Sequence, residues 1–181
     1  MTMRSVVHIH DLSFAPFLTE SVLQVRIKEM AAQLNANYAG KKPIFLAVLN
    51  GAFMFASDLF KVLDCQPELS FVKVSSYQGT QSSGRVDELI GLQTTLKDRH
   101  VVVVEDILDT GVTMDKIFTL LQAEQPASLA ICSLLLKPTS YKGKHTPNYV
   151  GFEIEDRFVV GYGLDYKELG RELSAIYQLI S

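Results

Sequence analysis

The stretch "VVVVEDILDTGVT", residues 101–113, joins an apolar run to a loop rich in acidic and hydroxyl side chains. Four consecutive valines are typical of a strand that is covered on both faces, as in a parallel sheet. Ligands of such sheets bind beyond the carboxyl ends of the strands, and Glu105, Asp106 and Asp109 lie at that end. We therefore expect the sheet and its binding site to be organised around this segment.

Apolar runs of the same kind flank this segment on both sides. Further strands are predicted at residues 43–49, 69–77 and 128–137, and helices at residues 51–63, 113–124 and from the N-cap Thr19 onward. Strands that alternate with helices at this spacing favour the α/β class. We expect a right-handed, doubly wound, mostly parallel sheet with flanking helices.

The carboxyl-terminal part of the sequence has a different pattern. Its short β-rich runs, at residues 149–154, 157–164 and 175–180, predict a small hood over the end of the sheet. The chain of 181 residues contains no linker and no internal repeat. We expect one domain over residues 1–181, with the hood formed mainly by residues 145–181 together with N-terminal residues.

The composition excludes several classes of protein. Apolar residues make up 48% and charged residues 20%, as in ordinary globular domains, and the apolar runs are far shorter than the ~20 residues of a membrane span. The start of the chain lacks the apolar segment of a secretory signal, so we expect a cytoplasmic protein with no membrane partner. A net charge of −3 provides no basic field for nucleic acid. We expect Cys65 and Cys132 to be reduced core thiols.

The loop after the valine strand has the features of a phosphate site. A helix that begins near Thr113 leaves its first N–H groups unpaired, so the loop backbone can surround an anion. Gly111 lets the main chain approach closely, and two threonine hydroxyls add donors. The predicted phosphate loop runs from Asp109 to Thr113, and the backbone of Thr110, Gly111, Val112 and Thr113 is predicted to surround the anion.

The neighbouring carboxylates require a different ligand group, because they would repel a phosphate. Glu105 and Asp106 can accept hydrogen bonds from two vicinal hydroxyls and can share a divalent cation. A phosphate loop beside two hydroxyl acceptors is suited to a sugar phosphate. The common nucleotide-binding motif GxxxxGK[ST] is absent from the sequence.

The segment "VVVVEDILDTGVT" resembles the ribose-phosphate motif of the type I phosphoribosyltransferases. Two further segments, "LLLKPT" and "YVGFEIEDRFVVGYGLDYKELGREL", are similar to the hypoxanthine and hypoxanthine-guanine group of that family. The likeness extends from about residue 43 onward. It implies purine salvage: 5-phosphoribosyl-1-pyrophosphate and hypoxanthine, or also guanine, give the nucleotide and pyrophosphate. It also implies Mg²⁺ as cofactor and a homodimer or homotetramer.

The resemblance also implies roles for individual residues. Lys137 would hold the six-position oxygen of the purine, Phe158 would stack on the base, and the backbone of Val159 would meet its far edge. Asp165, beside the purine, would support a second magnesium ion, so that Glu105, Asp106 and Asp165 form the expected metal set. Arg171 would contact pyrophosphate. A cation, an aromatic face and a metal-bound acid are what an oxopurine and a pyrophosphate require.

Asp109 is the candidate catalytic residue. It is the acid on the loop between sugar and base, so we expect it to act as the general base at the purine nitrogen N7. Asn50 and Gly51 form the expected pyrophosphate loop, where the family commonly has a lysine or arginine at the position of Asn50 and a cis peptide before it. The missing cation leaves two readings open: Arg171 and magnesium carry more of the charge, or turnover is slower.

The polar stretch "QGTQSSGRVDE", residues 78–88, is predicted to be a long loop, and the resemblance concerns the overlapping segment "VSSYQGTQSSG". The resemblance implies a mobile lid, with Ser76 and Tyr77 on its hinge side, that excludes water from the activated sugar phosphate. A slack connection is the alternative, and sequence does not separate the two.

A regulator is the rival functional class. Some proteins with this fold bind the sugar phosphate as a signal for nucleotide genes and contact nucleic acid. They need a basic face or an added DNA-binding module, and neither is evident in this sequence. The preference among hypoxanthine, guanine and xanthine stays open, because the base edge near Val159 is met by backbone groups.

Overall fold

A computed structural model describes residues 5–78 and 85–180. In chain order its elements are β1 (Val7–Ile9), β2 (Leu12–Leu18), α1 (Glu20–Tyr38), β3 (Ile44–Val48), α2 (Phe53–Phe60), β4 (Glu68–Gln78), β5 (Arg85–Ile90), β6 (His100–Leu108), α3 (Val112–Ala123), β7 (Ser128–Leu136), β8 (Tyr149–Glu153), β9 (Val159–Val160) and β10 (Ile176–Leu179).

The main sheet has the order β5-β4-β3-β6-β7-β8. Strands β4, β3, β6, β7 and β8 are parallel to one another, whereas β5 runs antiparallel to β4. This confirms the predicted doubly wound α/β sheet. The connections leave β3 and β6 toward opposite edges of the sheet, so a crevice opens between the carboxyl ends of these two strands.

Strand β3 is buried along its whole length, because helices cover both faces of the sheet. Phe45 and Ala47 belong to the apolar cluster that contains the buried residues of α1 and α2. Ile44 and Leu46 belong to the cluster that contains the buried residues of α3. This alternation follows from the two-residue repeat of a strand, and it explains why the sequence is apolar without a break.

Helix α1 begins where the sequence predicts it. The Thr19 hydroxyl accepts a hydrogen bond of 3.2 Å from the Val22 N–H, which satisfies one of the unpaired donors of the first turn. The apolar side chains that recur at helical spacing along it are buried: Leu23, Ile27, Met30 and Leu34. The other predicted helices and strands agree with the structure to within two or three residues at most ends.

The hood is a second sheet with the order β1-β2-β10-β9, and all its pairs are antiparallel. It combines N-terminal and C-terminal strands. The assignment of residues 149–154 to the hood is wrong, because β8 pairs in parallel with β7 at the edge of the main sheet. Asn148 sets this register: its N–H donates to the Ile131 carbonyl at 3.0 Å, and its Oδ1 accepts from the Ile131 N–H at 2.9 Å.

The predicted loop at residues 78–88 is wrong in part. Strand β5 pairs with β4 from Lys73 opposite Ile90 to Gln78 opposite Arg85. A strand at the edge of a sheet is held by main-chain hydrogen bonds on one side, so it does not need the apolar pattern of an inner strand. Residues 79–84, on which the lid prediction also falls, lie outside the described residues.

Two composition-based expectations concern the rest of the chain. Cys65 and Cys132 are buried and unpaired, which confirms that they are core thiols. Within residues 5–78 and 85–180, no helix combines the length and the apolar character that a membrane crossing requires.

Candidate active site

The loop that follows β3 lies directly against the end of β6. A Cβ atom placed on Gly51 would lie 1.6 Å from Oδ2 of Asp106, so this position has no room for any side chain. The Leu49–Asn50 peptide bond before it is cis, as the family resemblance implies. The predicted pyrophosphate loop and the predicted acidic pair therefore meet at the crevice between β3 and β6.

Glu105 and Asp106 are buried at the end of β6, each with 8% of its surface exposed. Burial raises the pKa of both carboxyls, and the neighbouring Asp106 charge raises that of Glu105 further. Oδ1 of Asp106 accepts a hydrogen bond of 3.0 Å from the Ile107 N–H. Oε2 of Glu105 is buried with no hydrogen-bond partner among the described residues. An incoming hydroxyl or cation would satisfy this atom.

The predicted phosphate loop lies at the start of α3. Gly111 is the N-cap, with φ of 89°, and has no side chain that could cap the helix; the Val112 N–H makes only a long contact of 3.5 Å with the Thr110 hydroxyl. The first N–H groups of α3 therefore remain available to an anion. The loop forms a cavity of about 170 Å³ together with the acidic pair, lined by residues 105–111, 113 and 114.

A neighbouring loop, residues 137–147, supports the phosphate loop from behind. The Lys142 N–H donates to the Thr110 carbonyl at 3.1 Å, and the Lys144 N–H donates to Oδ1 of Asp115 at 2.9 Å. A Cβ atom on Gly111 would lie 2.6 Å from the Cα of Gly143. The sequence did not predict this support, because most of these contacts use backbone atoms that any residue supplies, and the sequence does not indicate that the Asp115 side chain meets this loop.

Lys137 lies at the end of β7 and points toward the acidic loop. Its Nζ donates to Oδ2 of Asp109 at 2.7 Å and lies 3.2 Å from Oδ1 of Asp156. Burial alone would lower the pKa of Lys137, but the hydrogen bonds and charges of these two carboxylates raise it above its ordinary value. The predicted base and the predicted purine-binding lysine are therefore direct neighbours.

The hood supplies an aromatic ring and a cation. Phe158 is 40% exposed, and its ring lies 5.7 Å, centroid to centroid, from that of Tyr166 in an edge-to-face arrangement. Arg171 donates from Nη1 to the Gly163 carbonyl at 2.8 Å and from Nη2 to Oδ1 of Asp165 at 2.7 Å. These contacts fix the guanidinium, and its charge lowers the pKa of Asp106 against the larger effect of burial.

One cavity of about 300 Å³ brings these groups together. Its lining contains Asn50, Gly51, Asp106, Ile107, Asp109, Phe158, Val159, Leu164, Asp165 and Arg171. The cavity adjoins the phosphate loop through Asp106 and Asp109, which line both spaces. A molecule with a flat ring, hydroxyls and phosphate groups would find a complementary partner for each part.

The comparison with known families agrees with this geometry. Residues 19–167 match the family described as "Phosphoribosyl transferase domain". The chain belongs to this family. Among phosphoribosyltransferases it is 43% identical over 155 residues to the hypoxanthine-guanine-xanthine phosphoribosyltransferase of Tritrichomonas foetus, with 85% of each chain covered. It is 44% identical over 160 residues to the hypoxanthine-guanine phosphoribosyltransferase of Staphylococcus aureus strain Mu50, covering 88% of this chain and 89% of the relative.

Solved structures of phosphoribosyltransferases have the same fold. A crystal structure of a hypoxanthine phosphoribosyltransferase from Staphylococcus aureus superposes with a TM-score of 0.84, at 41% identity, and covers 98% of both chains. A hypoxanthine-guanine phosphoribosyltransferase from Bacillus anthracis superposes with a TM-score of 0.82, at 34% identity, over 91% of this chain and 96% of the other.

Most of the predicted site residues of this phosphoribosyltransferase lie together. The side chains of Ser76 and Tyr77 lie outside the part of the chain whose side chains are described, so their lid role stays a prediction. Sequence reasoning missed Asp156, which pairs with Lys137. Asp156 lies two residues before Phe158 in "EIEDRF", which places it near the predicted base-binding residues. The sequence does not indicate that its carboxylate contacts Lys137 at the end of β7.

Proposed function

We propose that the protein is a purine-salvage enzyme. It transfers the 5-phosphoribosyl group from 5-phosphoribosyl-1-pyrophosphate to hypoxanthine, and also to guanine, and releases pyrophosphate. The observation that carries this proposal is the single cavity in which Asp106 of the acidic pair, the exposed Phe158 ring and Arg171 meet. The names of the similar enzymes, which specify hypoxanthine and guanine, support the choice of base.

Binding of the sugar phosphate follows from the loop geometry. The N–H groups at the start of α3 hold the 5-phosphate, and Glu105 and Asp106 accept hydrogen bonds from the ribose hydroxyls. The unpartnered Oε2 of Glu105 supports the second assignment. Because the sugar is held at both ends, much of the rate enhancement comes from positioning.

In the transfer step, different side chains contact the face and the edges of the base. Phe158 stacks on the purine, and the Lys137 ammonium donates to its six-position oxygen. The ring nitrogen N9 attacks C1 of the sugar while the bond from C1 to the pyrophosphate oxygen breaks, with an oxocarbenium-like sugar between. Asp109 removes the proton from N7, which leaves a neutral nucleotide base.

The donor set fits magnesium that arrives with the substrate. Among the described residues, no group of three or more His, Cys, Asp or Glu side chains is arranged to hold a metal. Mg²⁺ is usually held by one or two carboxylates and completed by substrate phosphates, which matches Glu105 and Asp106 on one side and Asp165 on the other. When bound, the ion neutralises charge on the leaving pyrophosphate.

The lid and the assembly are proposed on the family resemblance. We place Ser76 and Tyr77 at the hinge of a segment that closes over the reacting groups. Limited proteolysis with and without 5-phosphoribosyl-1-pyrophosphate and magnesium tests this, and equal cleavage under both conditions would contradict it. We also propose that the protein is cytoplasmic and forms a homodimer or homotetramer. Size-exclusion chromatography with light scattering would measure the mass of the assembly directly.

The decisive experiment is an ultraviolet assay with magnesium and 5-phosphoribosyl-1-pyrophosphate. Hypoxanthine, guanine, xanthine, adenine and uracil are offered separately. Turnover with the first two establishes the proposed reaction and gives the base preference. Silence with all five, in a protein that still binds the sugar phosphate, would overturn it.

The regulator alternative receives no support from the similar proteins reported above, since each is named as an enzyme. It predicts retention of RNA or DNA on a filter at moderate salt. We expect none, because a net charge of −3 provides no overall attraction for a polyanion.

A further inference from the structure

The Lys137 ammonium is held by two carboxylates that come from different loops. Asp109 lies on the loop after β6, and Asp156 lies on the loop after β8. Within the described residues these are the charged groups that contact Lys137. An ammonium has three donors, so two point at carboxylates and one remains for the oxygen of a bound base.

Asp156 is fixed in place by its own loop. The Ile154 N–H donates to the Leu136 carbonyl at 2.8 Å, which ties the start of this loop to the residue before Lys137. The Ser140 hydroxyl donates a hydrogen bond to the Asp156 carboxylate. This bond and the hydrogen bond from Lys137 both lower the pKa of Asp156. Asp156 is therefore a carboxylate that stays ionised and oriented at neutral pH.

The proposed reaction removes one of the two partners of Lys137. When Asp109 takes the proton from N7, its carboxyl becomes neutral and no longer balances the ammonium charge. The Lys137 side chain is only 8% exposed, so water compensates little for that loss. A buried charge that loses its partner is costly, and a second carboxylate avoids this cost.

We propose that Asp156 is a positioning residue for base recognition. It keeps Lys137 charged and aimed at the six-position oxygen while Asp109 acts as the base. Asp156 itself contacts neither the sugar nor the reacting nitrogen in this assignment. The inference rests on the proposed function, and it adds a residue that selects oxopurines by holding the donor that reads their oxygen.

The test is the Asp156→Asn variant, assayed with hypoxanthine across a range of pH. We expect KM for hypoxanthine to rise about three- to tenfold, a moderate effect because Asp156 is partly exposed, with KM for 5-phosphoribosyl-1-pyrophosphate unchanged. Activity should also fall at a lower alkaline pH than in the wild type, because Lys137 with one carboxylate loses its proton more easily. Asp156→Glu should restore much of both properties.

Glu155→Gln is the matched control. Glu155 is the adjacent acid, 79% exposed, and lies 3.4 Å from Arg157 rather than near Lys137. It should behave as the wild type. Calorimetry with IMP as the probe supplies a readout without turnover, and Asp156→Asn should bind IMP more weakly by a similar factor.

Two outcomes are distinguished by this design. If Asp156→Asn keeps the wild-type KM for hypoxanthine and loses activity at the same alkaline pH as the wild type, the positioning role is wrong while the proposed reaction stands. If the wild type and Glu155→Gln are both inactive with every base, the proposed function itself fails.

Discussion

Glu105 and Asp106 show the conflict between binding and stability at the scale of single residues. Both are buried, one carboxylate oxygen has no partner among the described residues, and burial raises the pKa of each. A carboxyl whose pKa is raised by folding stabilises the folded state below its unfolded value of about 4.3, and this stabilisation is lost as pH rises through the folded value. The ligand-free protein therefore carries a destabilising pair at neutral pH.

The Glu105→Gln variant should accordingly be more stable than the wild type without ligands at pH 8. The amide is uncharged, so its burial costs less than that of the carboxylate. We expect a rise in melting temperature of about 2–4 °C at pH 8 that shrinks toward pH 5, measured by calorimetry at both values. Equal shifts at the two pH values would contradict the electrostatic cause. Sugar-phosphate affinity should fall in the same variant.

The Asp109→Asn variant separates catalysis from binding. An amide keeps the size of the side chain but does not take up the N7 proton, so turnover should fall about 100-fold or more. The affinity for 5-phosphoribosyl-1-pyrophosphate should stay within about twofold, because the proposed assignment has the 5-phosphate held mainly by backbone N–H groups. Steady-state kinetics and calorimetry measure the two quantities. Undiminished turnover would remove Asp109 from the role of base.

The Asn50→Lys variant tests the proposed pyrophosphate loop, which lacks the cation that the family commonly has at this position. Asn50 lines the same cavity as Arg171, so a lysine here should strengthen product inhibition by pyrophosphate about fivefold. Asn50→Gln is the uncharged control and should leave inhibition as it is. If both variants behave alike, the position does not face pyrophosphate.

At the scale of elements, prediction from sequence succeeded where local chemistry decides the outcome. Helix α1 has a capping hydroxyl and a periodic apolar stripe, and β6 has its unbroken valine run, so both could be located directly. Strand β8 was assigned to the wrong sheet, because a short apolar run does not encode its partner. Strand β5 was missed because an edge strand needs no apolar pattern. Asp156 was missed for a related reason, since its meeting with Lys137 depends on how two loops pack.

The phosphate loop allows a sharp test of packing between elements. Gly111 and Gly40 both have positive φ, 89° and 72°, so alanine strains the backbone at either position. A Cβ atom on Gly111 would also collide with Gly143, whereas one on Gly40 meets nothing within 4 Å. Gly111→Ala should therefore abolish measurable sugar-phosphate binding in calorimetry, while Gly40→Ala should only lower stability. Similar affinities in the two variants would contradict the supporting role of residues 137–147.

At the scale of the whole molecule, a partly buried hydrogen bond joins the hood region to the main layer. The Tyr162 hydroxyl donates to Oδ2 of Asp58 at 2.6 Å, and Asp58 lies on α2, the helix that follows the pyrophosphate loop. Lys61 also donates to this carboxylate, at 2.7 Å. The position of the hood over the cavity therefore depends on α2 as well as on its own sheet.

The Tyr162→Phe variant should lower the free energy of unfolding by about 1–2 kcal/mol, because it removes a partly buried hydrogen bond to a charged group. Tyr166→Phe is the matched control, since its hydroxyl contacts Asp11 at 3.0 Å in an exposed position. That change should cost little. Urea titrations of both variants measure the free energy of unfolding. Equal losses would show that the Asp58 contact stabilises the fold no more than the Asp11 contact.

The strand order of the hood has a consequence for how the protein is synthesised. β10 lies between β2 and β9, so the N-terminal hairpin of β1 and β2 acquires its neighbour only after residue 179 has left the ribosome. A nascent chain can assemble the strands from β3 to β8 earlier, since they are made first. The cavity is lined by Phe158 and Arg171, so it is completed only after the strands of the main sheet have been synthesised.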